Sequence, residues 1–544
     1  MTSERLAWGS LALLLLALVG GAALYAGPAT GPALGPETTF ALAVESLARD
    51  GDLRLEASDR ERFRSTWGFP AESPEVLEGS DRLAVPAVSA AALSPFVRLA
   101  GRRGIFLGSA LALALAACSA AWANRRVGPS APLLVALALA GSVAFHAPFR
   151  FGPWSVLSLL VAGGLALARG GATWPGALDT VYGGEGGGTS AKALLRSALG
   201  GALVGLAVAD DATLLPLLWP AVAFAAAGGE PAARGRRIGA TLAGAVVALA
   251  GALAVAGPQW TAPHPSFDRA LLGWNLVALA VGRHVGLLPW YLPIVALAAA
   301  ATRSNARSTL PIAVALSFGL RLLLDPYDWA GSEVGPASFA LLPAVAALWL
   351  WPGRPVARAV WVGVAVVAGA LLWPLWLAPR AGAPGLAVGR GPARELLSHL
   401  PLESTLQRLP ETAEVLQAGV RLRAAGPAVW EGARGLEMMG DAHAELMVLS
   451  PRRLTLLRLE FGGQAPTELV VDGARAGNTT FRPGGAVAFD LQLDRPVRRH
   501  PTAWSDEPVL VYPVRIHLPA GKPAPLPFAL SLARPAVPEG EPPT

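Results

Sequence analysis

At 544 residues the chain has room for several domains, yet only 15% of it is charged and 53% is hydrophobic. Soluble chains carry about 25% charged residues; this composition, with a mean hydropathy of +0.46, excludes an ordinary cytosolic enzyme. The net charge of +6 comes largely from arginines in short loops between apolar runs, which fits membrane orientation and not nucleic-acid binding.

The first apolar run, 8–25, follows a short segment containing Arg5. A cleaved signal peptide is the competing reading, but ten further runs of near-spanning length commit the chain to the membrane. They are 104–123, 131–147, 153–169, 194–209, 212–228, 238–256, 285–302, 308–324, 336–352 and 359–378. The fold class expected is therefore mainly α, a polytopic bundle of about eleven spans, over 1–378. Arg125 and Arg126, Lys192 and Arg196, Arg234, Arg236 and Arg237, Arg303 and Arg307, and Arg354 and Arg358 all fall on one side. Asp210 and Asp211, Asp268, Asp325, Asp328 and Glu333 fall on the other. The basic side is cytoplasmic, which puts the N-terminus inside and residues 28–103 and everything after 379 outside.

In the outward loop 28–103, the stretch Thr38 to Arg49 reads as a helix with Phe40, Val44 and Leu47 on its apolar face and Glu37, Glu45 and Arg49 elsewhere. Leu83 to Leu99, interrupted by Pro86 and Pro95, reads as an interfacial helix lying on the membrane. Beyond the last span, 379–429 is expected to be a linker with an amphipathic helix at 394–420. Alternating apolar residues at 444–449, 454–461, 468–471, 486–493 and 509–518 predict an extracytoplasmic β-sandwich over 430–534. The proline-rich tail 535–544 is expected to be disordered.

Few polar groups stand out. Glu37 lies just past the first span, where a carboxylate is either a general base for an acceptor hydroxyl or a favourable charge at a helix N-terminus. Arg283 and His284 either contact a phosphate or anchor the interface beside Trp290 and Tyr291. The turn holding Asp325, Tyr327 and Asp328 either positions a sugar or cation or is a solvated loop. Asp210 and Asp211 read as a helix-ending pair, and His146 and Arg150 as structural residues of another outward turn. The seven histidines lack HxxxH or HExxH spacing, and the single cysteine, Cys118, allows neither an internal disulfide nor a thiolate cluster. The glycine run 183–188 has no Gly-Lys-Ser/Thr after it. Neither a metal nor a cofactor is expected.

The segment Glu37-Thr-Thr-Phe-Ala-Leu-Ala-Val-Glu-Ser-Leu-Ala-Arg-Asp-Gly-Asp-Leu resembles the region after the first span in bacterial GT-C membrane glycosyltransferases. These are relatives of the protein mannosyltransferases and of the enzymes that add aminoarabinose to lipid A. Gly282-Arg283-His284-Val285-Gly286-Leu287-Leu288 and Asp325-Pro-Tyr-Asp-Trp-Ala-Gly resemble two later segments of a branch of that family. The resemblance implies a sugar transferred from a polyprenyl-phosphate carrier to an acceptor at the outer face of a bacterial inner membrane. Membrane lipid and the donor would then be the chain's partners. It places Glu37 on the second acid of the family's Asp-Glu pair, and Arg283 and His284 on its Arg-His. The leading acid falls on Pro36, and Thr38-Thr39 stands where the family has Pro-His. A catalytically degenerate subunit that binds glycolipid or a protein partner is the alternative expectation. A transporter ranks third, because charge sits at the loop edges, with Arg321 the main exception.

Overall fold

A computed structural model describes residues 3–25, 35–67, 74–124 except 75, 78 and 79, 131–169, 191–227, 231–257, 269–282, 286–300, 309–324, 339–349 and 358–377, with Leu400 and the strands between 420 and 532 with short stretches beside them. The chain divides into two compact units: one of 1–266, 287–326 and 337–372, the other of 267–286, 327–336 and 373–544.

The first unit is helical. In chain order it contains α1 (Ser3–Leu24), α2 (Gly35–Arg49), α3 (Ala57–Trp67), α4 (Ala87–Ala100), α5 (Arg103–Asn124) and α6 (Ala131–Ala140). A 3-10 helix (Val143–Phe149) leads to α7 (Trp154–Arg169) and α8 (Ala191–Asp210). A second 3-10 helix (Ala212–Leu217) leads to α9 (Leu218–Ala227) and α10 (Pro231–Ala256). The second unit supplies α11 (Arg269–Val281), after which come α12 (Leu287–Trp290), α13 (Leu292–Ala300), α14 (Thr309–Leu324), α15 (Leu342–Trp349) and α16 (Arg358–Leu377).

Four described helices, Glu4–Leu24, Arg103–Asn124, Ala191–Asp210 and Ala233–Ala256, are long and apolar enough to cross a membrane. A fifth span results if α6 and the 3-10 helix after it, bent by 68°, are counted together. Other expected spans are shorter or interrupted in the described residues, and proline accounts for several of the breaks. Pro289 and Pro293 flank the junction of α12 and α13 within 285–302, and Pro216 lies in the 3-10 turn that opens 212–228. Proline removes a backbone donor and clashes with the preceding turn; protein burial makes such a break tolerable at membrane depth. Pro289, Trp290 and Tyr291 are buried.

Small residues bring α7, α8 and α10 into backbone contact. A Cβ on Gly164 would lie 2.8 Å from the Gly200 carbonyl oxygen, and one on Gly200 2.7 Å from that of Gly164. On the other side of α8, added carbons at Gly201 and Gly205 would overlap the carbonyl oxygens of Thr241 and Ala245. Lipid tails give apolar helices no reason to prefer one another, so close packing of this kind has to supply the association. The outer face of α10 is left exposed through Val246, Val247 and Val255.

The expected alternation of helix ends agrees with the contacts. At one end of the bundle Arg169 donates to the Asn124 side chain at 2.8 Å, both residues buried, joining the last residues of α5 and α7. At the other end Asp210 accepts from the amides of Val88 and Ser89 at 2.8 and 2.7 Å and from the Ser89 hydroxyl at 2.6 Å. Helix α4 thus has its N-terminus on the end of α8, while Gly101 (φ +59°) turns its C-terminus into the start of α5. A helix with both ends at one end of the bundle lies across it.

The second unit holds two antiparallel sheets. Its strands are β1 (Arg421–Ala425), β2 (Val429–Gly432), β3 (Gly435–Met439), β4 (His443–Ser450), β5 (Leu456–Phe461), β6 (Val470–Asp472), β7 (Ala474–Phe481), β8 (Val487–Leu493), β9 (Val497–Arg498), β10 (Leu510–His517) and β11 (Pro525–Leu532). One sheet runs β1-β4-β10-β6, with β9 also on β10, and the other β2-β3-β11-β5-β8-β7. On β5, Leu457, Leu459 and Phe461 are buried, while Arg458 between them pairs with Asp490 of β8 at 2.9 Å. The Tyr512 hydroxyl of β10 accepts from the Leu454 amide at 2.8 Å, tying the first sheet to the approach to β5. Strand structure starts at Arg421, inside the stretch expected as linker; the amphipathic helix expected at 394–420 and the tail 535–544 lie outside the described residues, apart from Leu400 and Val420.

Candidate functional site

Glu37 lies in the first turn of α2 and is half-buried. The helix starts over Pro36, which needs no amide partner there, and its N-terminal dipole favours the carboxylate. It ends where the amides of Asp50 and Gly51 return to the Ser46 carbonyl at 2.7 and 3.0 Å, with Gly51 at φ +82°. From Thr38 to Ser46 every residue is buried, so α2 is a core helix with no free polar face.

The expectation for Glu45 is thereby corrected. It does not lie on a polar side but inside the unit, where its carboxylate accepts from the Trp67 indole at 3.0 Å. Burial pushes its pKa above the ordinary value, while the Trp67 bond and the charges of Arg49 and Arg62 act the other way. The amphipathic pattern misled because α3 and α4 both pack on α2, whereas a periodicity argument assumes one buried face. Arg62 clamps the arrangement, bonding Asp50 at 2.6 Å and also Asp59. Those partners, the Asp50 hydrogen bond first, raise its pKa further.

Aromatic rings fasten this segment to the helical bundle. Trp67 meets Phe151 and Phe106 edge-on at 4.8 and 6.0 Å between centroids. Tyr25, just past α1, meets Phe106 and Phe149 at 5.0 and 5.3 Å. The end of α1, the start of α5 and the corner 143–151 therefore share one end of the bundle with α2 and α3. That corner carries His146 and Arg150, both buried, and Arg150 acts electrostatically on both His146 and the buried Tyr291.

A second polar group occupies the same end. Asp211 is the N-cap of its 3-10 turn, accepting from the Thr213 amide at 3.0 Å and hydroxyl at 2.6 Å. It also pairs with Arg321 at 2.6 Å, and the Arg321 guanidinium lies 5.4 Å from the centre of the Trp154 ring. Asp211, Thr213, Ser317, Phe318, Arg321 and Phe339 line a narrow cleft there. Asp210 and Asp211 thus end α8 as expected, and each also caps the start of another segment. Acids and a lone arginine at the same ends of separate spans were the available signal.

Of the expected site residues only Glu37 is described. Arg283 and His284, and Asp325, Tyr327 and Asp328, lie outside the described residues. The glycines bracketing the first pair are described: the Gly286 amide donates to the Gly282 carbonyl at 2.9 Å, and a Cβ on Gly286 would lie 2.5 Å from that oxygen. The motif's second glycine is required by this close approach.

No family model and no curated protein matches the chain. Among solved structures it is similar to ArnT from Cupriavidus metallidurans bound to undecaprenyl phosphate, at 15% identity and TM-score 0.43, over 68% of this chain and 65% of that one. It is similar to the apo state of the same protein at 14% identity and TM-score 0.43, over 71% and 72%. The chain thus spans just under two thirds of ArnT in the first alignment.

Proposed function

We propose that the chain is a GT-C-like integral membrane glycosyltransferase of a bacterial inner membrane, using a polyprenyl-phosphate sugar as donor and working at the outer face. In this reading Glu37 takes the proton from an acceptor hydroxyl, whose oxygen attacks the anomeric carbon of the donor. The bond from that carbon to the phosphate oxygen breaks, and the lipid phosphate leaves with the bonding pair. Arg283 and His284 neutralise the departing phosphate, while Asp325, Tyr327 and Asp328 hold the sugar or the acceptor. Sugars linked to undecaprenyl phosphate, the lipid bound in ArnT, are the donors to try first.

The observation that supports this reading is the fixed position of Glu37. Its helix is buried from Thr38 to Ser46 and tied through Glu45, Trp67 and the aromatic cluster to the start of α5 and the corner 143–151. A general base must be held within reach of its proton, and a half-buried carboxylate at the start of a packed helix supports that role.

The test is transfer by the full chain in lipid, offered a panel of polyprenyl-phosphate sugars. Glu37→Gln is expected to lower turnover by about a hundredfold or more with donor binding and insertion intact; unchanged turnover removes Glu37 from the mechanism. Pro36, in the place of the family's leading acid, favours a second reading, a glycolipid-binding subunit without activity. Donor binding without transfer for every sugar in the panel selects it.

A further inference from the structure

Helix α4 and the turn after it carry a feature that sugar transfer does not use. Arg98, Arg102 and Arg103 fall within six residues and are all exposed, together with the apolar Leu99, which is 87% exposed, and with Ala91, Ala92, Pro95 and Ala100. The inner face of the same helix, through Ala90, Leu93 and Val97, is buried. No Asp or Glu occurs in the sequence between Asp81 and Asp179, and among the described residues none of the three arginines enters an ion pair. Among the described residues Arg102 makes one long contact, to the Thr66 carbonyl at 3.4 Å.

The location makes this cluster unusual. Asp210 fixes the start of α4 at the end of α8, and Arg103 opens α5, so the arginines lie at the bundle end that carries Asp210. Among the described residues, Lys192 and Arg196 at the start of α8, and Arg234, Arg236 and Arg237 at the start of α10, fall at the opposite end, in keeping with the orientation rule. Arginines at this end run against that bias, and an anionic partner would offset it. A helix lying across the bundle end, apolar at its exposed edge and basic beside it, has the make-up of an interfacial lipid-binding helix.

We infer that the exposed edge of α4, with Arg98, Arg102 and Arg103, is a docking surface for the phosphate headgroups of anionic bilayer phospholipid in the outward leaflet. The guanidinium groups pair with the phosphodiesters while Leu99 and Pro95 sit among the first methylenes of the chains. This is independent of the proposed activity and concerns the lipid shell on which the outward segment rests.

The test uses the full chain in vesicles, with Cys118→Ala and a fluorophore on Ala100→Cys, quenched by brominated phosphatidylglycerol or brominated phosphatidylcholine at equal mole fraction. Quenching by the anionic lipid is expected to exceed that by the zwitterionic one by about threefold or more at low salt. The preference is expected to vanish in Arg98→Gln/Arg102→Gln/Arg103→Gln. Arg98→Gln/Arg103→Gln, which spares the Thr66 contact, is expected to lose most of it while folding normally, and Arg234→Gln/Arg236→Gln to keep it. Equal quenching by the two lipids, or a preference surviving both α4 variants, overturns the inference. Relief of quenching by a few mole per cent of polyprenyl phosphate assigns the surface to the carrier and overturns it as well.

Discussion

The carboxylate of Glu45 is a buried ionisable group, and among the described residues its donor is the Trp67 indole. Replacing Trp67 by Phe keeps the ring packing but strips that donor from a buried acceptor, a loss of about 1–3 kcal/mol. Thermal unfolding of the full chain is expected to show it. The pH dependence follows from the raised pKa of Glu45. A folded-state value above the unfolded one means that the folded protein binds this proton more tightly. The resulting stabilisation is full below the ordinary carboxylate value and is lost as pH rises through the raised folded value. Unfolding temperatures on either side of that rise are expected to differ less in Glu45→Gln than in the unsubstituted chain. The Asp211–Arg321 pair behaves differently, since its side chains are 14% and 18% exposed. Arg321→Met is expected to cost about 2–3 kcal/mol by stranding Asp211, less than for a fully buried pair, and Asp211→Leu/Arg321→Met to recover part of the loss.

Among the elements, α8 depends on the absence of side chains at its contacts. Gly201→Val would push a side chain into the backbone of α10 at Thr241, whereas Gly239 and Gly251 of α10 have nothing within 4 Å of an added Cβ. Gly201→Val is expected to lower the unfolding temperature in lipid markedly. Gly239→Ala and Gly251→Ala are expected to leave it unchanged or raise it, since alanine is the better helix former. The sequence showed these helices plainly through their apolar length, and placed α2 within a few residues. It misjudged Glu45 because one chain's periodicity does not say how many neighbours a helix has. The Asp211–Arg321 partnership spans 110 residues, so local pattern could flag each residue but not join them. In the sheets, β4, β5, β6, β8 and β10 were legible from alternation. Strand β11 was hidden by Pro525 and Pro527, and β7 by the polar run Arg475 to Thr480, because an inward or paired backbone leaves no apolar signature.

At the scale of the whole molecule, one end of the helical unit gathers Glu37, His146, Arg150, Asp211, Arg321 and the arginines of α4, while Asn124 and Arg169 mark the other. The first end is predicted to face outward, and the Arg283–His284 segment to lie on the same side of the membrane. Impermeant maleimide labelling of intact cells tests it most directly, using single cysteines at Arg60 (exposed, beside α2), His284 and Lys192 in a Cys118→Ala background. Arg60→Cys and His284→Cys are predicted to label in intact cells, and Lys192→Cys only after lysis. Labelling of Arg60→Cys and His284→Cys from opposite compartments would contradict the account.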